Sequence, residues 1–200
     1  MSQASPTDEL RKEHQLFLTD ISEVHTMIQG LGSSPEDARE AFGGMLGARI
    51  DIFRQGILTH FRREEECLYP DARLFVSQAA GTAGRPDILG HFLDSEAEDD
   101  VRAHQVIAAR TDEIAALVAA AREKGQLPAQ SLAHLRTLLG LTRSLLQRHA
   151  EKEDGMIFPF IERSLSPDQL AAIGERLRAF RGIADLTGSD DLSGLGAAEG

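Results

Sequence analysis

The sequence predicts an all-α, up-down four-helix bundle with a short extra helix at its C-terminal end. Three observations predict it. Aromatic residues make up only 5% of the chain and Trp is absent, while Ala, Leu, Glu and Arg are plentiful, a mix that favours helices over strands. No segment shows a period-two alternation, whereas apolar residues recur at helical spacing. The third observation is an internal repeat. His60-Phe61-Arg62-Arg63-Glu64-Glu65-Glu66-Cys67-Leu68-Tyr69-Pro70 and His149-Ala150-Glu151-Lys152-Glu153-Asp154-Gly155-Met156-Ile157-Phe158-Pro159 are both His-x-x-x-Glu followed by an apolar cluster, an aromatic and a proline. His14-Gln15 precedes the first motif by 46 residues and His104-Gln105 the second by 45. Two copies of one helical pair make a pseudo-twofold bundle.

The elements follow in order. Residues 1–6 form a tail, and Ser5-Pro6 with Asp8 opens a helix over about 7–31, closed by Gly30-Leu31-Gly32. Ser34-Pro35 opens a second helix over about 35–68, bent near Gly43-Gly44 and kinked at Tyr69-Pro70, with a continuation to about Gln78. Gly81, Gly84, Pro86 and Gly90 make Ala79 to Asp94 a connecting loop. Ser95 and Glu98 read as a capping box for a third helix over about 96–124, which stops at Gly125. Pro128 opens a fourth helix to about 164, kinked at Pro159, which completes a bundle over 7–164. Ser166-Pro167 opens a short fifth helix within 165–181, and the Gly-, Ser- and Asp-rich stretch over 182–200 reads as a mobile tail.

Composition bounds the function. Two hundred residues suit one domain. A net charge of −11 with no basic patch argues against nucleic acid and against an anionic membrane surface. No apolar run approaches the ~20 residues of a membrane span, and Met1-Ser2-Gln3-Ala4-Ser5-Pro6 lacks the features of a signal peptide. The lone Cys67 fits a reducing compartment. The expected location is cytoplasmic.

Four histidines lie on apolar stripes. Leu10, Phe17, Leu18, Ile21 and Ile28 share a face with His14, and Phe53, Ile57 and Cys67 share one with His60. Val101, Ile107, Ile114 and Leu117 flank His104, while Leu141, Leu145, Leu146 and Met156 flank His149. Burying imidazole is costly without partners. Residues four apart on a helix lie about 40° apart in azimuth and about 6 Å apart in height, so His60 with Glu64, and His149 with Glu153, can present a ring and a carboxylate to one inward point. An isolated pair of this kind is most simply a solvated face; two matched pairs, each with a distant His, point to a metal site. The ligand set is then His14, His60, Glu64, His104, His149 and Glu153. Nitrogen and oxygen donors without thiolates suit iron or manganese. Each of two ions would take two His, with Glu64 and Glu153 bridging.

These motifs resemble the hemerythrin-like family of His-His-Glu cation-binding bundles, over about residues 7–164. His60-Phe61-Arg62-Arg63-Glu64-Glu65-Glu66 with Leu68-Tyr69-Pro70 is similar to that family's second-helix motif, and Lys152-Glu153-Asp154 with Ile157-Phe158-Pro159 to its fourth. The resemblance implies two iron ions, Fe²⁺ or Fe³⁺, oxo- or hydroxo-bridged, that meet O₂, NO or peroxide. Two departures matter. Oxygen carriers of the family have His-x-x-x-His on the third helix, but Ala108 stands four after His104. They also have His-x-x-x-x-Asp on the fourth, an offset held here by Asp154 beside Glu153. Symmetry with His60–Glu64 favours Glu153 as the bridge, with Asp154 second. The loss of the fifth His turns the reading from simple O₂ carriage toward sensing, scavenging or storage.

Other residues read as structural. His25 is about 16 Å along the axis from His14, and His134 lies fifteen residues before His149. His91 reads as a surface loop residue, Cys67 as packing with Met156 as its repeat mate, and Tyr69 as the unneeded hydroxyl counterpart of Phe158. Gly56 and Ala108 leave space beside the metals for a diatomic ligand. Tyr69, Thr111 and Thr142 are the only candidate proton donors, and the sequence names no catalytic residue. The leading function is a non-heme di-iron protein that binds O₂, NO or peroxide. The alternatives are a di-iron oxidoreductase acting on peroxide or NO, and an iron storage or delivery protein. A signal would pass to a separate protein partner.

Overall fold

Ser5 and Pro6 begin the first helix as their order predicts: the Ser5 N–H donates to Asp8 Oδ2 at 2.9 Å, and Pro6 takes a first-turn position where no N–H is needed. The computed structural model of the protein describes residues 5–31, 44–125 and 127–180. Helix α1 spans Pro6–Gly30. Helix α2, Met45–Arg63, runs through a π turn at Glu64–Leu68 into α3, Tyr69–Thr82. Helix α4 spans Ile88–Lys124, capped by Asp87, whose carboxylate accepts from the Gly90 N–H at 3.1 Å. It ends at Gly125, in the left-handed region at φ 62°. Helix α5, Ala129–Lys152, passes through a second π turn at Glu153–Ile157 into α6, Phe158–Ser164. Helix α7, Pro167–Ala179, is capped by the Ser166 hydroxyl. Among the described residues there is no strand.

Side-chain pairs give the topology. Glu13 meets His60 and Asp20 meets Arg49, so α2 runs antiparallel to α1. Glu65 meets His104 and Arg54 meets Asp112, which sets α4 antiparallel to α2. Lys152 on Asp100 and His134 on Glu113 do the same for α5 against α4. Arg136 on the Ile28 carbonyl, with Arg11 on Glu162, closes the ring of four back to α1. The result is an all-α, up-down four-helix bundle, and the extra helix α7 packs across α1 and the first π turn.

A polar layer divides the core. On one side lie Phe17, Ile21, Val24, Ile28, Ile57, Ile107, Leu135 and Leu146. On the other lie Leu10, Leu68, Leu93, Ile157, Phe158 and Ile161, closed over by Ile173 and Leu177 of α7. Each bundle helix contributes its chemistry-bearing residues between these two apolar stretches, so the fold places them at one level.

Several boundaries differ from expectation. The loop is residues 83–87, not Ala79 to Asp94. Among its glycines only Gly84 needs a positive φ, at 62°, while Gly90 sits inside the first turn of α4. Its missing side chain is filled by Arg73 and Asp87, which would stand within 2.5 Å of any Cβ there. Ser95 is consequently mid-helix and caps nothing. Tyr69-Pro70 and Pro159 do not break their helices. A π turn carries one extra residue, and each proline follows where the changed register accommodates its missing N–H. Leu141 and Met156 are exposed rather than inward. Leu141 stands eight residues before His149, about 80° off its direction, and Met156 is turned outward within the second π turn. Cys67 is buried although its repeat mate is not, so matched packing does not explain it. The expected start at Ser34-Pro35, the bend at Gly43 and the stretch over 182–200 lie outside the described residues.

Candidate metal centre

The histidines stand where each helix turns its apolar stripe inward, and the two glutamates stand one turn later, at the first residue of each π turn. Such turns alter the direction of the side chains they carry and recur at functional sites. His14, His60, Glu64, His104, His149 and Glu153 are all at most 5% exposed. The structure brings all six together. The ligand atoms of His14, His60, His149 and Glu153 lie within 4.8 Å of one another, as do those of Glu64, His104, His149 and Glu153. His14 and His60 pair edge to face at 4.7 Å between centroids, and so do His104 and His149.

The two glutamates differ. Glu64 Oε1 faces His60 Nε2 at 3.2 Å and His14 Nε2 at 4.0 Å, while its Oε2 faces His104 Nε2 at 3.4 Å. One carboxylate thus spans both His pairs. Glu153 directs only Oε2 inward, 3.0 Å from His14 Nε2 and 3.2 Å from His149 Nε2. Its Oε1 accepts from the Tyr69 hydroxyl at 2.5 Å.

Carboxylates fix the rings from outside. Nδ1 of His60 bonds Glu13 at 2.7 Å, that of His104 bonds Glu65 at 2.7 Å, and that of His14 bonds Asp154 at 3.0 Å. The residue after each glutamate therefore reaches across to the other half of the repeat. An acceptor at Nδ1 holds the proton there and turns the Nε2 lone pair inward, the arrangement of carboxylate–histidine–metal sites. His149 is the exception, with Nδ1 3.9 Å from Asp100.

All four Nε2 atoms, both Glu64 oxygens and Glu153 Oε2 are buried without a hydrogen-bond partner. Buried polar groups are rarely left so. Seven orphaned atoms aimed at one region, all nitrogen or carboxylate oxygen, fit a bound cation. The electrostatics agree. Burial works against charge on His60, but Glu64 and Glu13 outweigh it and raise the ring to about 10. Burial likewise opposes charge on His104, and Glu64 with Glu65 lifts it to about 9. Burial would raise Glu64, yet His60 and His104 hold it well below the usual carboxylate range. His149, buried and without a bonded carboxylate, falls to about 4. A cation here would replace shared protons and release them.

Aromatic rings enclose the layer. Phe61 stacks on His104 at 3.9 Å, Phe158 on His14 at 5.7 Å, and Phe17 meets His60 edge-on at 5.3 Å. Phe17 also overturns the expectation of space at Gly56, since a Cβ there would meet the Phe17 ring at 3.0 Å. Thr111 donates to the Ile107 carbonyl at 2.8 Å and is committed to its own helix. Thr142 is buried with its hydroxyl unpaired.

Three histidines stay outside the cluster. His25 bonds Gln29 at 2.9 Å, and His134 bonds Glu113 at 2.7 Å. His91 lies in the first turn of α4 rather than in a loop, with a side chain 78% exposed. What the sequence reading undervalued is Tyr69, buried and bonded to both Glu153 and Asp100. The repeat was its misleading signal, because the matching Phe158 has no hydroxyl. The outer carboxylates Glu13, Glu65 and Asp100 were also missed, although Glu13 and Glu65 each stand one residue from a residue named above.

A family model for the hemerythrin HHE cation-binding domain matches residues 5–161. A search of curated proteins finds no match. Among the described residues no helix is long and apolar enough to cross a membrane.

Proposed function

The chain belongs to the hemerythrin HHE cation-binding family, and from that premise we propose that it holds two iron ions and binds a small ligand, O₂, NO or peroxide. The observation that carries this reading is the convergence of the seven orphaned atoms, with the Glu64 oxygens facing different His pairs. His14 and His60 would hold one ion, His104 and His149 the other, with Glu64 spanning them and Glu153 offering one oxygen. Six nitrogen- and oxygen-bearing side chains without thiolate suit iron, and Cys67 is not among the grouped ligands.

When bound, such a pair supplies redox-active positions at which a diatomic molecule or peroxide can bind. The chain supplies the rest. Glu13, Glu65 and Asp154 fix the ring orientations. Phe17, Phe61 and Phe158 keep bulk water off the layer. A surface groove lined by Glu65, Tyr69, Pro70, Leu93, Ala97 and Val101 leads to the outer side of two residues bonded to the cluster. The absence of a His at Ala108 separates this ligand set from that of the oxygen carriers.

A second reading, an oxidoreductase acting on peroxide or NO, draws on the Tyr69 hydroxyl at Glu153, a proton donor within the layer. Anaerobic reconstitution with Fe²⁺, followed by separate additions of O₂, NO and peroxide under absorbance spectroscopy, tests both. A stable new band with one addition supports binding, and continuous consumption of peroxide or NO supports turnover. No spectral response to any of the three would overturn the small-ligand reading.

A further inference from the structure

Each half of the centre sets a cation and an acid behind a histidine, although the acids stand at different repeat positions, Glu13 one residue before His14 and Asp100 four before His104. Arg63, three residues after His60, bonds Glu13 and Glu9, and Glu13 bonds His60 Nδ1. Lys152, three residues after His149, holds Asp100 at 3.1 Å and Glu96 at 2.9 Å. Asp100 is the acid placed to bond His149 Nδ1 as Glu13 bonds His60. It does not, because both of its oxygens are held elsewhere. Asp100 Oδ2 accepts from the Tyr69 hydroxyl at 2.7 Å, and Oδ1, its oxygen nearer His149, stays 3.9 Å from the ring. The same hydroxyl lies 2.5 Å from Glu153 Oε1. The matching position in the other half is Phe158, which can do neither.

We propose that Tyr69 is a positioning residue that makes the two metal positions unequal. It draws Asp100 away from His149, so the His104–His149 position has one ring bonded to a carboxylate at Nδ1, His104 on Glu65, and one ring without such a bond, His149. Both rings of the His14–His60 position keep theirs, Asp154 and Glu13, while Glu64 and Glu153 each face both positions. Outer partners of ligating histidines change metal affinity by about 10- to 100-fold. The His104–His149 position is therefore the weaker one, the last to fill and the more open to an incoming ligand. This inference rests on the two-ion reading proposed above.

Tyr69→Phe tests it, because the repeat already carries Phe at the matching site and no buried volume is lost. Metal-free wild type and variant, both checked for helical circular dichroism and melting, are titrated anaerobically with Fe²⁺ by calorimetry. Wild type is expected to bind two ions in steps separated by about tenfold or more, and Tyr69→Phe to tighten the weaker step about tenfold, closing the gap. Mössbauer spectra of fully loaded protein should show two doublets in wild type that converge in the variant. A variant that keeps the wild-type gap, or whose weaker step loosens further, overturns the proposal. So does a single doublet in wild type, a measurement that does not depend on the variant folding. Fewer than two ions in wild type overturns the two-ion reading and this inference together, so failure at that stage is distinct from failure in the variant.

Discussion

Asp154 accepts a hydrogen bond from Nδ1 of His14 at 3.0 Å, across the interface between the second π turn and α1. Glu153, its neighbour in sequence, faces Nε2 of the same ring at the same distance of 3.0 Å. Two adjacent acids thus grip one imidazole from opposite sides, one orienting it and one sharing the inward region. The first half repeats the device, with Glu65 on His104 Nδ1 and Glu64 opposite its Nε2.

The two acids should therefore fail differently. Glu153→Ala removes an inward oxygen and leaves His14 and His149 facing an unfilled space, and it is expected to lower iron below two per chain. Asp154→Ala keeps both ions at saturating iron but weakens binding by about 10- to 100-fold, since it only orients His14. Metal content after dialysis against graded chelator separates them. The reverse order, with Asp154→Ala losing iron and Glu153→Ala keeping it, would reassign the inward carboxylate.

Histidine position should matter more than histidine chemistry. His104→Ala is expected to remove metal and destabilise the bundle. His134→Ala, whose side chain is 49% exposed on Glu113, should leave metal content unchanged. Elemental analysis and thermal melts of both variants check this, and equal losses would contradict the placement of the centre.

Gly56 offers a test of packing. A Cβ there would stand 3.0 Å from Phe17 Cε1, and that ring borders His60. Gly56→Ala is expected to destabilise by about 1–3 kcal/mol, as overpacking does, and to lower metal affinity through the displaced Phe17. Adding Phe17→Leu to Gly56→Ala should recover part of both, read by melting and iron titration. A variant as stable as wild type would show that the ring gives way freely.

The six inward residues were legible because period and burial agree. Each lies on an apolar stripe, and an imidazole there needs a partner. The up-down topology was legible for a related reason, since two matched helix pairs with short connections have few other ways to pack. The start of α4 was not. Gly81, Gly84, Pro86 and Gly90 read alike as loop residues, yet only tertiary contact from Arg73 tells that Gly90 is a packed helical position. The π turns were hidden as well, because hydrophobic spacing is judged against 3.6 residues per turn and a single wide turn only blurs it. Their trace in sequence is the proline six residues after each glutamate, Pro70 and Pro159. Tyr69 was obscured by the repeat itself, which made a buried, hydrogen-bonded hydroxyl look unneeded.

Metal removal should cost stability. Ligand binding to the folded state alone stabilises it by mass action, about 2.7 kcal/mol at a free ion concentration 100 times the dissociation constant. Chelation is expected to lower the melting temperature in wild type and to lower it less in His104→Ala, which has lost a ligand of the weaker position. Differential scanning calorimetry with and without chelator checks this, and an unchanged wild-type melt would contradict a bound cation.

The most direct test of the account is the metal stoichiometry of the wild-type chain after anaerobic reconstitution with excess Fe²⁺, followed by desalting and elemental analysis. Six buried nitrogen- and oxygen-donor side chains, with the Glu64 oxygens facing separate His pairs, predict about two irons per chain. One iron per chain or fewer would contradict it.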